Sequence, residues 1–362
     1  MRGRQQPSTR HARLKTGTVR MKPDPAADPA QLLTLVDRFS SIRVAVFGDL
    51  IVDEFIYGEV ARVSREAPVL ILDYDSTEIV PGGAGNAANN IAALGAAATS
   101  IGVAGRDESG RRMLDVMRQR RIDVRGIVLP ADYRTPTKTR ILAGGVHSAK
   151  QQVVRIDRAT RPAIGDADRR AIETRLFAAA STSDALLVSD YGTGLVTAAA
   201  VNKARARLGT RARSGRPPVV LVDSRYGLRR FRGMTACTPN ESEVEQLFGV
   251  KIGENTRVLE RAGRDLLALT RARAVLVTRG SRGMALFEAD RPTLHIPIVG
   301  SDQIADVTGA GDTVIAVMTL ALAAGGAAAE AAHLANYAGG LVVMKRGTAT
   351  VSAAELRGAI AR

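Results

Sequence analysis

Across 362 residues there is a single cysteine, Cys237, and no tryptophan at all. One thiol excludes an internal disulfide, so burial rather than cross-linking must hold the fold, as suits a reducing cytoplasm. Cys237 lies in the short apolar segment "MTACTPN" and reads as a buried strand residue rather than a nucleophile. Aromatics make up only 4%, six Tyr and seven Phe dispersed along the chain, too scattered for a base-stacking surface. No apolar run approaches the roughly 20 uncharged residues a membrane helix needs. The alanine-rich stretches near 320–345 are broken by Gly, Glu, His and Lys. Acids are missing from the first 22 positions, where seven Lys and Arg supply about half of the net charge of +15. That segment lacks periodicity and the apolar core of a secretory signal, and reads as a disordered basic tail over residues 1–30, with Met21 as a second candidate start. The remaining arginines are scattered, which argues for a solvated surface over a nucleic-acid groove.

What is present is an apolar content of 45%, enough for one large domain or two modest ones. "IRVAVFGDLIVDEF" is a β-branched run with Gly48-Asp49, a buried-strand pattern, and "VLILDYDSTEIV" is strand-like again. Glycines open "GGAGNAANNIAALGA", which continues at helical spacing. From residue 166 helices and strands alternate: "DADRRAIETRLFAAA" and "ALLVSD", "TAAAVNKARARL" and "PVVLVD", then "ESEVEQLF" and "TRVLERAGRDLLALT" before "AVLVTRG". Such alternation implies an α/β fold, a mostly parallel sheet with helices on both faces. Strand-like runs near 55–75 and 138–157 interrupt the rhythm and read as a small separate sheet, a lid over a single domain spanning 40–362.

Ligands of such folds sit at the carboxyl ends of the strands. There the sequence puts Asp49 and Asp53, Asp190, Asp223, and Thr278-Arg279-Gly280. Three glycine-rich stretches are candidate phosphate cradles. "GGAGNAANN" fits the dinucleotide fingerprint poorly, and no P-loop motif occurs. "TRGSRGM" offers Gly280 and Gly283 for backbone contact with a nucleotide. "TPNESE" puts Asn240 and Glu243 on one helical turn, where they serve equally well as an ordinary helix-start cap. "DVTGAGD" brings Gly309, Ala310 and Gly311 before Asp312 at the mouth of an apolar helix. A helix N-terminus presents unpaired N–H groups and receives anions. On this segment alone Asp312 is either a group with its own task there or a plain acid of a first turn.

In order and spacing, "GGAGNAANNIAALGAAATSIGVAG" and "DVTGAGDTVIA" resemble the two signatures of the ribokinase-like carbohydrate kinases. "TPNESE" is similar to that family's Asn-x-x-Glu element and "TRGSRG" to its nucleotide loop. The resemblance runs from about Arg43 to the C-terminus. It implies a ribokinase-like fold and transfer of the γ-phosphoryl group of ATP, with Mg²⁺, to a sugar hydroxyl. Asp312 would be the general base, and the N–H groups of Gly309, Ala310, Gly311 and Asp312 an anion hole. Asn240, Glu241, Ser242 and Glu243 would face the nucleotide phosphates, with Glu243 holding Mg²⁺. Thr278, Gly280, Gly283, Arg225 and Asn336 would line the nucleotide side, and Asp53, Gly82, Gly83, Asn86 and Asp190 the sugar side. Asp306 and Thr308, with "KRGTATVS", resemble a monovalent-cation loop that holds K⁺ in many relatives.

Within the family, "GDLIVDEFIYGEVARVSREAPV", "QQVVRIDR", "LLVSDYGTG" and "KRGTATVS" are most similar to members that phosphorylate D-glycero-D-manno-heptose 7-phosphate at C1. That implies a product for lipopolysaccharide-core sugar synthesis. No His-x-Gly-His nucleotidyltransferase motif follows, so a monofunctional kinase is expected. The pattern departs in places: Ala84 stands where ribokinase has lysine, which speaks against ribose, and Thr193 and Arg225 stand where close relatives carry lysine. A 7-phosphate requires a cationic receptor distant from Asp312, for which Arg65, Arg106, Lys138, Arg140 and Arg155 are candidates, each otherwise a surface residue. The implied partners are small molecules, without nucleic acid or membrane, and a second copy joined through the lid as a homodimer. Another sugar or sugar phosphate is the alternative substrate.

Overall fold

The computed structural model describes residues 28–144, 150–158, 164–208, 218–299, 306–345 and 347–362. The basic tail up to residue 27 and Arg346 of "KRGTATVS" lie outside them. Helix α1 (Pro29–Asp37) begins inside the range that the sequence assigns to the tail. The Asp28 side chain accepts the Ala30 amide at 3.0 Å, and Pro29 takes the first turn, where a missing N–H costs nothing. Its Leu32, Leu35 and Val36, with Phe39 just beyond, are buried in the main core.

Strand β1 (Arg43–Gly48) ends at Gly48, and Asp49 turns the chain into β2 (Leu50–Val63) of a different sheet. The run "IRVAVFGDLIVDEF" is therefore two strands. β3 (Leu70–Gly83) returns antiparallel to β2 and runs directly into α2 (Ala84–Ala93). Next come β4 (Ala97–Val103), α3 (Glu108–Gln119), β5 (Asp123–Val128), β6 (Thr137–Gly144) and β7 (Gln151–Arg158). The regular alternation follows: α4 (Asp166–Thr182), β8 (Ala185–Asp190), α5 (Ala198–Arg205), β9 (Val219–Ser224), β10 (Ala236–Cys237) and α6 (Glu241–Phe248). The chain closes with α7 (Thr256–Thr270), β11 (Ala274–Thr278), β12 (Met284–Glu288), β13 (Leu294–Ile296), α8 (Ala310–Ala323), α9 (Ala328–Val342) and α10 (Ala353–Ile360).

Among the described residues the larger sheet has the order β13-β12-β11-β10-β9-β8-β1-β4-β5. It is parallel except at its β12–β13 edge. Successive β1 residues serve opposite faces: Val44 and Val46 pack in the core with α1, α2, α8 and α9, Ala45 and Phe47 in the core with α4, α5 and α7. Period-two alternation between two buried faces explains why the strand is apolar from Val44 to Phe47. Cys237 is buried in β10. α9 had no sequence signal of its own because it is buried all round and so carries no polar stripe.

The second sheet, β3-β2-β6-β7, is the expected lid, longer than the 55–75 and 138–157 read from the sequence. β2 and β6 run parallel with Asp53 opposite Lys138 and Phe55 opposite Arg140. Paired residues share a face, so an acid and two cations line one side of the lid. Replacing Phe39 by Ala removes a fully buried ring between α1 and β1. Urea unfolding should show a loss of about 3–5 kcal/mol, and a loss below about 1 kcal/mol would mean α1 is not part of the core.

Candidate active site

Gly309 caps α8 with φ of 79°, and a Cβ there would come within 2.6 Å of the Asn86 amide nitrogen. Only glycine combines that left-handed backbone with so close an approach. The Ala310 N–H is already bonded to the Val307 carbonyl at 3.2 Å. Among the described residues, the Gly309, Gly311 and Asp312 amides find no acceptor, so three of the four N–H groups expected to face an anion are left without a partner. A Cβ on Gly311 would meet nothing within 4 Å, which leaves room in front of them.

Asp312 is buried on the first turn of α8. Asn86 donates to its Oδ2 at 2.8 Å, and the Tyr191 hydroxyl donates to its Oδ1 at 3.4 Å. Asn86 is held in turn by Asn90, whose Oδ1 accepts the Thr313 hydroxyl at 2.9 Å. This buried polar circuit ties the start of α2 to the start of α8. Burial, reinforced by the nearby Asp53 charge, pushes the Asp312 carboxyl up to about 7, against the opposing hydrogen bonds of Asn86 and Tyr191 and the positive charge of Lys138.

Asp53 lies across from it on β2. Its Oδ1 accepts from Arg140 at 2.6 Å in an ion pair nearly closed to solvent, and Thr348 donates weakly to Oδ2 at 3.4 Å. Gly82 is required beside it, since a Cβ would fall 2.4 Å from Asp53 Oδ2. Lys138 sits 5.3 Å from the Tyr191 ring centroid, and burial together with the charges of Arg225 and Arg140 lowers its pKa despite Asp53. Arg225 stands 5.5 Å from the same ring, with Nε 4.0 Å from Glu243 Oε1.

On the α6 side Asn240 and Glu243 form a capping box: the Asn240 side chain accepts the Glu243 amide and Glu243 Oε2 accepts the Asn240 amide, each at 2.9 Å. The helix-cap reading of the pair is thus realised, and Glu243 Oε1 is left facing Arg225. Burial raises the pKa of Glu243 and of the half-buried Asp223, and for Asp223 the Glu243 and Asp312 charges add to it. Among the described residues no group of three or more His, Cys, Asp or Glu side chains meets as a self-sufficient metal site.

Other expected residues are used by the protein itself. Glu241 is paired with Arg279 at 2.8 Å and Arg282 at 2.5 Å, and fastens the Gly280–Gly283 loop onto α6. The Ser242 hydroxyl donates to Asn240, and the Asn336 amide to the Pro297 carbonyl. Asp190 gives its oxygens to Gly192, Ser224 and Arg230, so it braces the β8–β9 end rather than offering them to a sugar. Thr278 bridges to Asn240, while Gly280 has open space and Gly83 caps α2. Asp306 accepts the Thr308 and Gly347 amides, which joins the two segments of the expected cation loop.

Of the five candidate phosphate receptors, Lys138 and Arg140 reach the site. Arg65 is exposed at the β2–β3 turn, Arg106 donates to the Leu129 carbonyl, and Arg155 pairs with Asp157 on exposed β7. The sequence reading missed Tyr191 and the role of Asp49, whose Oδ2 accepts the Tyr191 amide at 2.7 Å and whose Oδ1 takes the Thr193 hydroxyl. The signal was there, an aromatic at a strand's carboxyl end between Asp190 and Gly192.

Residues 42–355 match the model of the pfkB family carbohydrate kinases. The bifunctional protein HldE of Geobacter sulfurreducens is 40% identical over 320 residues, covering 88% of this chain. The chain spans 63% of that relative's length. Phosphofructokinase-2 from Escherichia coli, solved in complex with potassium, superposes with a TM-score of 0.68 at 19% identity, covering 88% of this chain and 98% of its own. Arabidopsis thaliana ribokinase, complexed with ribose and ATP, gives 0.64 at 18%, over 88% and 98%. These two likenesses establish the ribokinase-like fold.

The buried carboxyl has a stability signature. Its folded-state pKa of about 7 lies above the ordinary 3.8, so the folded protein binds more protons between those values. The stability it contributes is full below about pH 4 and is lost as pH rises through about 7. Asp312→Asn cannot ionise, so its melting temperature should gain on wild type between pH 5 and pH 8. A gap independent of pH would contradict the raised value.

Proposed function

The chain belongs to the pfkB family of carbohydrate kinases and is a phosphotransferase with an alcohol acceptor, and from that premise we propose that it phosphorylates C1 of D-glycero-D-manno-heptose 7-phosphate with ATP. The observation that carries this reading is the Asp312 carboxylate, buried beside three unclaimed amides and faced by Lys138 and Arg140 from the lid. A kinase for an uncharged sugar has no need of lid cations, whereas a sugar phosphate does.

Asp312 takes the proton of the attacking hydroxyl, and the Gly309, Gly311 and Asp312 amides meet the charge that develops on the transferred phosphoryl group. Both functions lie on one helical turn because nucleophile and phosphorus must approach to about 3–3.5 Å. Asp53 accepts from a sugar hydroxyl while Arg140 fixes its orientation. Lys138, poorly solvated and crowded by other cations, receives the substrate phosphate. Glu243, through Oε1, and Asp223 would hold Mg²⁺ by way of its waters. When bound, that ion neutralises charge on the phosphates of ATP. K⁺ would sit by the loop that Asp306 organises. ATP as donor fits a cytoplasmic enzyme.

The lid also exposes Leu70, Val154 and Ile156, each more than two-fifths accessible. A four-stranded sheet over a polar cleft has little core of its own, and a twofold partner would supply it. Light scattering should therefore give twice the 38.3-kDa chain mass; a fully active monomer would contradict the dimer.

ADP release should be fastest with heptose 7-phosphate in a panel with fructose 6-phosphate, ribose and adenosine. Preference for another member of the panel would replace the substrate. Asp312→Asn should lower kcat about 10²–10⁴-fold, and more than half of wild-type turnover would remove it as the base. Lys138→Ala should raise KM for the sugar phosphate at least about tenfold while KM for ATP stays near wild type, with Arg155→Ala silent in both. Equal effects of the two variants would dismiss Lys138 as the receptor.

A further inference from the structure

Tyr191 contacts Asp49, Asp312, Lys138 and Arg225 together. Its backbone N–H is anchored to Asp49, its hydroxyl reaches Asp312 Oδ1, and its ring lies within 5.5 Å of cations from two different elements. One of these, Lys138, belongs to the lid; the other, Arg225, follows β9 and approaches Glu243 on α6. A cation near an aromatic face is attracted by the ring quadrupole, more strongly where water is excluded. Resting on the kinase reading above, we propose that Tyr191 is a positioning residue for phosphoryl transfer. Its phenol fixes the carboxylate of the base, and its ring holds one cation from each side of the cleft, so base and anion receptors are assembled together.

The groups around Asp312 can be named element by element: Asn86 of α2, Asp53 of β2, Lys138 of β6, Tyr191 after β8 and Asp223 of β9. Of these, Asn86 and Tyr191 are the hydrogen-bond donors to the carboxylate. Asn86 is fixed by Asn90 within the helix, whereas Tyr191 depends on a loop that Asp49 ties down through the 191 and 193 amides. The phenol cannot readily lose its proton here, because the adjacent Asp312 charge, with burial, drives its pKa upward. It therefore serves as a donor throughout the working pH range and takes no proton from substrate.

Two variants separate the hydroxyl from the ring. Tyr191→Phe keeps the ring and removes the donor. It should lower kcat about threefold to tenfold, leave both KM values within about twofold, and move the acidic limb of the kcat profile to higher pH, since a lost donor disfavours the ionised carboxylate. Tyr191→Leu should add to this a rise of at least about fivefold in KM for the sugar phosphate, as Lys138 loses its ring. Matched melting temperatures certify the fold. A wild-type acidic limb in Tyr191→Phe, or a Tyr191→Leu enzyme indistinguishable from it, overturns the inference. Wild-type turnover is the control that keeps the two claims apart: a wild type that transfers phosphate to no sugar or sugar phosphate refutes the functional reading. An active wild type with an unaltered Tyr191→Phe refutes this one.

Discussion

A carboxylate buried on the first turn of a helix is the constraint around which this molecule is arranged. The helix N-terminus favours negative charge, but burial and the neighbouring Asp53 oppose it, and the net result is a carboxyl poised near neutrality. Such a group is useful only if its surroundings are rigid. The Asn86–Asn90–Thr313 circuit supplies that rigidity from inside, where each polar atom has a partner and none can rotate away without leaving another unpaired.

Rigidity on the substrate side comes from the way the two sheets are joined. β1 leaves the large sheet at Gly48 and β2 starts the lid at Leu50, so the crossing residue, Asp49, lies at the junction. Its backbone pairs with Ser189 and Ala84 and its side chain with Tyr191 and Thr193. One residue thus couples the end of β8 and the start of α2 to the base of the lid. Lid and large sheet share the geometry of the site because they share this residue.

Much of this was legible beforehand. The parallel sheet followed from alternating strands and helices and the lid from two runs that broke the alternation, while the small residues before a helix left Asp312 open between two readings until the family resemblance chose one. Local patterns carry such features because they arise from neighbours in the chain. The rest depends on contacts across the fold. Whether Lys138 or Arg155 faces the cleft is decided by how β6 and β7 sit against β2, and Arg155 is neutralised by Asp157 two residues away. Asp190 was read as a ligand group from its place at a strand end, and Glu241 from the family resemblance of "TPNESE". Their guanidinium partners lie 38 to 41 residues away, beyond any local signal. The split of one apolar run at Asp49 was hidden because both halves are buried and β-branched.

The central claim is that Asp312 is a carboxyl held near neutrality by its own site, and its titration can be watched directly. In protein labelled with ¹³C at aspartate side-chain carboxyls, the Asp312 resonance is assigned as the one missing from Asp312→Asn. The account predicts that this signal titrates with a pKa of about 7. A midpoint near the ordinary 3.8 would contradict it.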